Sequence, residues 1–237
     1  MRLLPLARAR PCLSPSIVYG SSSTIPSVFR FSGSPVPVRE DLKDAYAELW
    51  SHLAAPGPTL TGVQRLALSA YVRAARSGDT PPWMDLPWSL LTLAETLFVN
   101  PSHVDGPMVR RAADEGGEAT TVEIISIVSM LSAVDGAHIA LGASLEPLPA
   151  ALPGDPTGRI AEGLKKRRTH VPMPAGAIPV ALDLLPRVGE VFQNSFGPQY
   201  MTGPEMASYD FRRTPGLDRA QIEIVSSRTS LQNKCFY

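Results

Sequence analysis

Two residues near the end of the sequence could carry out redox chemistry together. Glu223 lies among apolar residues on a predicted helix, where a buried carboxylate needs a partner or a function. Cys235 follows twelve residues later, a little over three helical turns away. If the helix bends or ends before Cys235, the carboxylate can accept the thiol proton, and a thiolate attacks peroxides and disulfides. The alternative is a surface acid and a buried small cysteine without chemistry.

A second pair, Asp135 and His138, lies on the most apolar predicted helix. The two side chains could bind a metal ion, but no further His or Cys is nearby in sequence, which favours a buried histidine with ordinary hydrogen bonds. The basic run 164–170 could bind phosphate or nucleic acid, and in an acidic body a solvated loop is the favoured interpretation. No role is assigned to His52, His103 and His170.

The charge of the 237-residue chain is unevenly placed. Lys plus Arg and Asp plus Glu each number 22, but residues 1–39 contain five arginines and no acid, so residues 40–237 carry 17 basic and 22 acidic groups. An acidic body argues against a nucleic-acid partner. Two cysteines cannot form a disulfide framework, and the absence of 18 consecutive apolar residues argues against a membrane-spanning helix.

Residues 1–39 predict a disordered or transit-like leader. They hold eight serines and six prolines beside the arginines, and Arg-rich, Ser-rich, acid-free composition is typical of organelle transit peptides. The alternatives are a disordered bacterial N-terminus or an unused upstream start codon. A transit peptide predicts a mitochondrial or other organellar location, and a bacterial protein would be cytoplasmic. Cys12 lies in this leader and has no expected role.

The rest of the sequence predicts an all-α fold. Apolar residues spaced three and four apart predict a first helix with Leu42, Tyr46, Leu49, Trp50 and Leu53 on one face. The run PGP at 56–58 ends it, and Thr59 or Thr61 caps the second helix. Trp83 and Trp88 are expected to anchor the connection that follows. Further helices are predicted over 90–99, 104–115, 122–142, 181–196 and 218–237, and the helix at 122–142 should be central because it is apolar on nearly all sides.

An internal repeat with an offset of one hundred residues divides the body. Residues 122–138 align without a gap on 222–237, with identities at Glu123/Glu223, Ile124/Ile224, Ser126/Ser226 and Leu131/Leu231. Asp135 then falls opposite Cys235. We therefore expect a degenerate first helical repeat over 40–144, a Pro/Gly-rich linker over 145–181, and a second repeat over 182–237 that carries the redox motif.

The run QIEIVSSRTSLQNKCFY resembles the carboxymuconolactone decarboxylase-like superfamily, specifically its alkylhydroperoxidase D-like, peroxidase-related branch. The family signature has a Glu, a run of Arg-Val-Ser type, then Leu-Asn-x-Cys-x-x-Cys and a His four residues on. Matching residues here are Glu223, Arg228, Ser230, Leu231 and Cys235, with Asn233 displaced by one place. The segments LTGVQRLALSAYVRAAR, LPGDPTG and HVPMPAGAIP are weakly similar to two-repeat bacterial members.

The resemblance implies a helical bundle that assembles as a trimer or hexamer and reduces hydroperoxides with a dithiol reductant, without a metal or another cofactor. Cys235 would be the redox thiol and Glu223 the proton-relay carboxylate. The sequence departs from the family in stopping at Tyr237, before the second cysteine and the histidine. We expect a chain truncated within the CxxC motif, with a genuinely degenerate homologue as the other explanation.

Two alternative functions stay open. One is a helical, oligomer-forming homologue that kept the fold and lost the site. The other is a carboxymuconolactone decarboxylase-type lyase acting on a ring lactone acid, which does not need the cysteine pair. No nucleic-acid or membrane partner is expected for any of the three.

Overall fold

The computed structural model describes residues 29–174, 181–200 and 218–232. Within these ranges the chain forms α-helices, one 3-10 turn and no β-strand, so the all-α prediction is confirmed. The elements in chain order are α1 Glu40–Ala54, α2 Gly62–Ser77, α3 Trp88–Val99, the 3-10 turn Pro101–His103, α4 Gly106–Gly116, α5 Glu118–Ala140, α6 Pro186–Gln199 and α7 Arg219–Gln232.

Helix α1 buries the face that its apolar spacing predicts. Tyr46, Leu49, Trp50 and Leu53 are each at most 3% exposed, and Leu42 is half-buried against the same core. The helix ends at Ala54, directly before the Pro-containing loop, because proline lacks the amide hydrogen that would continue the ladder. The spacing of apolar residues three and four positions apart was therefore sufficient to predict which face of α1 is buried.

The N-terminus of α2 is capped by Thr61, which resolves the choice between Thr59 and Thr61. The Gln64 amide N–H donates to the Thr61 hydroxyl at 3.2 Å, and the Thr61 N–H donates to the Gln64 side chain at 2.9 Å. This reciprocal pair is a capping box, which satisfies amides that the first helical turn leaves unpaired. Thr59 is thereby free to bind elsewhere, and it contacts α5.

Helix α5 is the central helix of the fold, as its all-round apolar sequence predicts. It packs on each of α1, α2, α3, α4 and α6. Among the described residues, α5 is the one helix long and apolar enough to cross a membrane by length and composition alone. However, 61% of its apolar window is buried inside the fold, as expected of a core helix.

The end of the predicted leader belongs to the folded body, so the expectation of disorder over 29–39 is wrong. Phe29 and Phe31 are 2% and 3% exposed. The Phe29 and Phe31 ring centroids lie 5.9 and 6.2 Å from that of Tyr46, and Phe29 also packs edge-on against Trp50 at 5.4 Å. Burying two large aromatic rings outweighs the effect of the flanking Ser, Gly and Pro residues. Residues 1–28 lie outside the described ranges.

The predicted linker over 145–181 is fixed to the body over the part that the structure describes. We call residues 145–160 the strap. Its backbone pairs with the α1–α2 loop, since the Leu152 N–H donates to Ala54 O and the Thr157 N–H to Gly57 O, both at 2.8 Å. The Trp50 indole N–H donates to Pro147 O at 2.9 Å. The strap therefore lies along the bundle instead of acting as a spacer.

The predicted anchoring role of Trp83 and Trp88 is wrong. The two side chains are 85% and 72% exposed. Met84, 9% exposed, and the half-buried Leu86 attach the connection to the core instead. Residue type favoured the tryptophans, but the direction in which an irregular, Pro-rich segment turns its side chains is set by its tertiary contacts.

Two helices of the C-terminal part match their predicted positions with shifted ends. Helix α6 begins at Pro186, and the turns at 181–185 before it bury Leu182, Leu184 and Leu185. Helix α7 begins at Arg219 and is helical through Gln232. In contrast to α5, α7 exposes its apolar side chains, with Ile224, Val225 and Leu231 between 63% and 69% exposed.

Candidate functional site

The structure describes one of the two predicted catalytic residues, Glu223, and does not describe the other, Cys235. Glu223 lies on α7 with its side chain exposed, and Cys235 falls outside the described residues. Helix α7 continues for nine residues after Glu223, which separates Glu223 from Gln232 by about 13.5 Å along the axis at 1.5 Å per residue. Direct contact between the carboxylate and the thiol therefore requires that the chain change direction after Gln232.

A cavity lies against α7 on the side of the helix bundle. Its volume is about 480 Å³, and α5, α6 and α7 each contribute to its wall. The Tyr200 hydroxyl and the Ser226 hydroxyl are 3.1 Å apart and connect the end of α6 to α7. Glu223 does not line this cavity. The lining residues are Ser129, Ala133, Phe192, Ser195, Gln199, Tyr200, Val225, Ser226 and Thr229.

The carboxylate that aligns with Glu223 at an offset of one hundred residues, Glu123, is buried where Glu223 is exposed. Glu123 and Arg65 are both fully buried, and Arg65 Nη1 lies 3.3 Å from Glu123 Oε1. The Thr59 N–H and hydroxyl donate to Glu123 Oε2 at 2.6 and 2.8 Å. One carboxylate oxygen thus faces the cation and the other accepts two hydrogen bonds.

The electrostatics of this pair are those of a buried ion pair. Burial raises the pKa of Glu123, and the Arg65 charge and the Thr59 hydrogen bonds oppose that shift. Burial likewise lowers the pKa of Arg65, against the influence of Glu123. Because no part of the Glu123 carboxylate reaches solvent, it cannot exchange a proton with a substrate. Its role is to hold the α1–α2 loop and α2 against α5.

Gly57 is required for this arrangement, which gives a first prediction. A Cβ at residue 57 would collide with Glu123 Oε1 and Arg65 Nη1. We expect Gly57→Ala to lower the free energy of unfolding by about 1–3 kcal/mol, the range for overpacking a filled interior. Urea denaturation measures this. Gly136→Ala is the control, since a Cβ there meets open space on α5 and alanine favours a helix. An unchanged Gly57→Ala midpoint would contradict the close packing.

Asp135 forms a second ion pair. Its two oxygens accept hydrogen bonds from Arg73 Nε at 2.9 Å and Arg73 Nη2 at 2.6 Å, a bidentate geometry. Arg73 Nη1 also donates to Glu146 O in the strap at 3.0 Å, and the guanidinium lies 5.6 Å from the Trp50 ring centroid. The Arg73 guanidinium therefore connects α2 to α5 through Asp135 and to the strap through Glu146 O.

His138 is buried, as favoured from the sequence, but the expectation of ordinary hydrogen bonds holds for one ring nitrogen only, since Nε2 has no hydrogen-bond partner in the described part of the chain. Its Nδ1 lies 2.8 Å from Val134 O, and its ring stacks on Phe31 with centroids 4.0 Å apart and planes 7° apart. Its Nε2 is 3.5 Å from Glu146 Oε1, an oxygen that also accepts from the Arg30 N–H at 2.7 Å. With Asp135 bound to Arg73, the alternative metal pair does not form. In the described ranges, no three His, Cys, Asp or Glu side chains are grouped to hold a metal ion.

Sequence reasoning missed Arg65, since an arginine in the first turn of an amphipathic helix resembles a solvated residue. The only signal was the apolar surroundings of Glu123, which required a cation from another element. The chain thus has a buried carboxylate used for structure on α5 and an exposed one on α7.

No family model matches the chain, and no curated protein or solved structure matches it.

Proposed function

We propose that the chain is a thiol-dependent hydroperoxide reductase of the alkylhydroperoxidase D-like type, with Cys235 as the attacking thiol and Glu223 as its base. The observation that carries the proposal is the cavity of about 480 Å³ walled by α7, the helix that leads toward Cys235. Phe192 and Val225 in its wall suit the alkyl group of an organic hydroperoxide. The resemblance of residues 221–237 to the peroxidase-related signature adds the identity of the nucleophile.

The proposed reaction needs two reactants. Glu223 accepts the Cys235 proton, the thiolate sulfur attacks one peroxide oxygen, and the O–O bond breaks to leave a cysteine sulfenic acid. The alkoxide takes up a proton and leaves as an alcohol. A dithiol reductant then supplies two thiols in turn, which gives water, the regenerated Cys235 thiol and the oxidised donor as a disulfide.

The finer fold assignment is part of this proposal. We infer an alkylhydroperoxidase D-like bundle with two degenerate repeats, assembled as a trimer or hexamer. Supporting it, the aligned segment 122–138 lies in α5, and the described part of its counterpart, 222–232, lies in α7. The exposed apolar residues Ile224 and Leu231 on α7, which do not line the cavity, are consistent with a surface that another subunit covers.

The test is hydroperoxide consumption with a dithiol donor. We expect the full chain to reduce cumene hydroperoxide in the presence of dihydrolipoamide, and Cys235→Ser to abolish turnover because serine cannot form the sulfenic acid. Cys12→Ser is the matched control and should keep the activity, since Cys12 lies in the predicted leader. An inactive parent chain, or an active Cys235→Ser variant, would exclude the reductase.

The role of Glu223 is tested on the same protein. Glu223→Gln should raise the apparent pKa of the Cys235 thiol, which lowers the thiolate fraction and slows the reaction at neutral pH. The rate should recover at alkaline pH, where the thiol ionises without a base. A pH–rate profile identical to that of the parent chain would remove Glu223 from the mechanism.

A non-catalytic, oligomer-forming homologue is the second candidate. One observation favours it: in the first repeat the Glu is buried in a structural ion pair and the cysteine position is Asp135, so the helical framework does not need the redox site. An inactive parent chain that still assembles would select this function. A separate assay distinguishes the lyase alternative from both of these functions: the chain is incubated with a ring lactone acid, and the release of carbon dioxide is measured.

A further inference from the structure

The wall of the cavity against α7 carries no charge. None of its lining residues, all of which lie in the described ranges, is an acid, a lysine, an arginine or a histidine. A carboxylate or phosphate that entered would lose its water without meeting a cation, and burying an unpaired charge is costly. The composition of the wall therefore favours an uncharged ligand.

Most hydroxyl groups in this wall already bond to the protein. The Ser195 hydroxyl donates to a backbone carbonyl of α6 at 2.7 Å, and the Thr229 hydroxyl donates to a backbone carbonyl of α7 at 2.9 Å. The Tyr200 and Ser226 hydroxyls pair with each other at 3.1 Å. Because these groups spend hydrogen bonds inside the fold, much of the cavity presents an apolar surface to a ligand.

Two small residues of α5 make room in the cavity. Ser129 and Ala133 lie one helical turn apart, both line the cavity, and both are half-buried. Phe192 of α6 and Val225 of α7 add apolar surface to the same space. Ser129 and Gln199, the last residue of α6, are the remaining polar residues of the wall, and each side chain can donate and accept hydrogen bonds.

We propose that this cavity selects its ligand by charge: it binds an uncharged molecule with an apolar body and one polar end, and it rejects carboxylates. Phe192, Ala133 and Val225 would contact the body, and Ser129 and Gln199 would bind a hydroxyl or hydroperoxyl end. A volume of about 480 Å³ is within the range of small-molecule sites.

This inference rests on the proposed reductase for the identity of the ligand as a hydroperoxide, and it adds that the hydroperoxide is uncharged. It also removes this cavity as the site of a lyase acting on a ring lactone acid, because the carboxylate of that substrate would find no cation in the wall.

The experiment compares two probes of matched shape, 4-isopropylbenzyl alcohol and 4-isopropylbenzoate, by isothermal titration calorimetry at pH 7. The full chain carries Cys235→Ser, so that no reaction interferes with binding. We expect saturable binding of the alcohol and binding of the carboxylate that is weaker by about tenfold or more. Selective binding together with an inactive parent chain would support the selectivity and exclude the reductase. Turnover of hydroperoxide together with equal affinity for both probes would overturn the selectivity and leave the reductase.

A lysine in the wall should reverse the preference. Val225 is 63% exposed on α7, so Val225→Lys can place a cation at the cavity without burying it. We expect this variant to bind 4-isopropylbenzoate about tenfold more tightly than the parent chain, a gain that misfolding cannot produce. Ser227→Lys adds the same charge at an exposed position of α7 outside the wall and should change the affinity by less than about threefold. Equal effects of the two lysine variants would overturn the proposal.

A larger side chain on α5 should close the cavity. Ala133→Leu is expected to weaken binding of the alcohol by about tenfold or more, because the added atoms occupy the space of the ligand. Ala140→Leu, at an exposed position of the same helix outside the wall, is the matched control and should keep the affinity. No saturable binding of the alcohol to the parent chain would overturn the proposal. Affinity that falls as protein concentration rises would do so too, since it would show that a second copy of the chain covers the cavity.

Discussion

Glu123→Gln should lower the free energy of unfolding by about 3–5 kcal/mol, the range for breaking a buried ion pair by removing one partner. The amide keeps the shape of the side chain and can still accept from Thr59, but it leaves the Arg65 charge buried without a counter-charge. Most of this loss of stability comes from leaving the Arg65 cation buried without a counter-charge, and less of it comes from the lost attraction between Arg65 and Glu123. Urea denaturation followed by circular dichroism measures the change.

Glu223→Gln is the matched control, because residue 223 aligns with residue 123 and carries the same substitution. Its side chain is exposed on α7, so we expect a change within about 0.5 kcal/mol. A double variant, Arg65→Met with Glu123→Gln, should recover part of the loss, since it removes the unpaired charge. Equal effects of the two glutamine variants, or a double variant less stable than Glu123→Gln, would show that Arg65 and Glu123 are not coupled.

Phe31→Ala should also destabilise the fold by about 3–5 kcal/mol, the range for truncating a buried aromatic residue. Phe31 is 3% exposed, stacks on His138 and packs against Tyr46, so its removal leaves a cavity beside α5. Thermal and urea unfolding of the variant measure the loss. The result decides whether residues 29–39 contribute to the stability of the body.

Trp83→Ala provides the comparison for Phe31→Ala. It removes a larger ring, but one that is 85% exposed, so a change within about 0.5 kcal/mol is expected. If Trp83→Ala cost more than Phe31→Ala, the assignment of the aromatic core would be wrong. The pair tests burial directly, because residue size alone predicts the reverse order.

Helix positions and the orientation of the amphipathic helix α1 followed from the sequence. The spacing of Tyr46, Leu49, Trp50 and Leu53 set its buried face, and the all-round apolar composition of 122–142 placed α5 at the centre. Both inferences succeed because side-chain periodicity on a helix depends on local geometry alone. Local sequence likewise limited the N-cap of α2 to two candidates, Thr59 and Thr61.

The candidate sites depended on contacts distant in sequence. Glu123 meets Arg65 and Thr59, which lie 58 and 64 residues earlier, and the cavity against α7 is walled by residues of α5, α6 and α7. No local pattern distinguishes a buried arginine in the first turn of a helix from a solvated one. The predicted leader also shows that local composition does not reveal distant contacts. Its composition predicted disorder, but Phe29 and Phe31 are buried in the core.

The sequence by itself determined an all-α chain, the central helix and the residues Glu223 and Cys235 as a redox hypothesis, because helix periodicity and motif spacing are local properties. Only the tertiary structure decided that Glu123 is a structural carboxylate while the aligned Glu223 is exposed. The two helices share the glutamate and the isoleucine after it, but the residues that follow are mostly apolar on α5 and mostly polar on α7. The burial of Glu123 beside Arg65 depends on the packing of α2 and the α1–α2 loop against α5, which lies outside the local sequence of either helix.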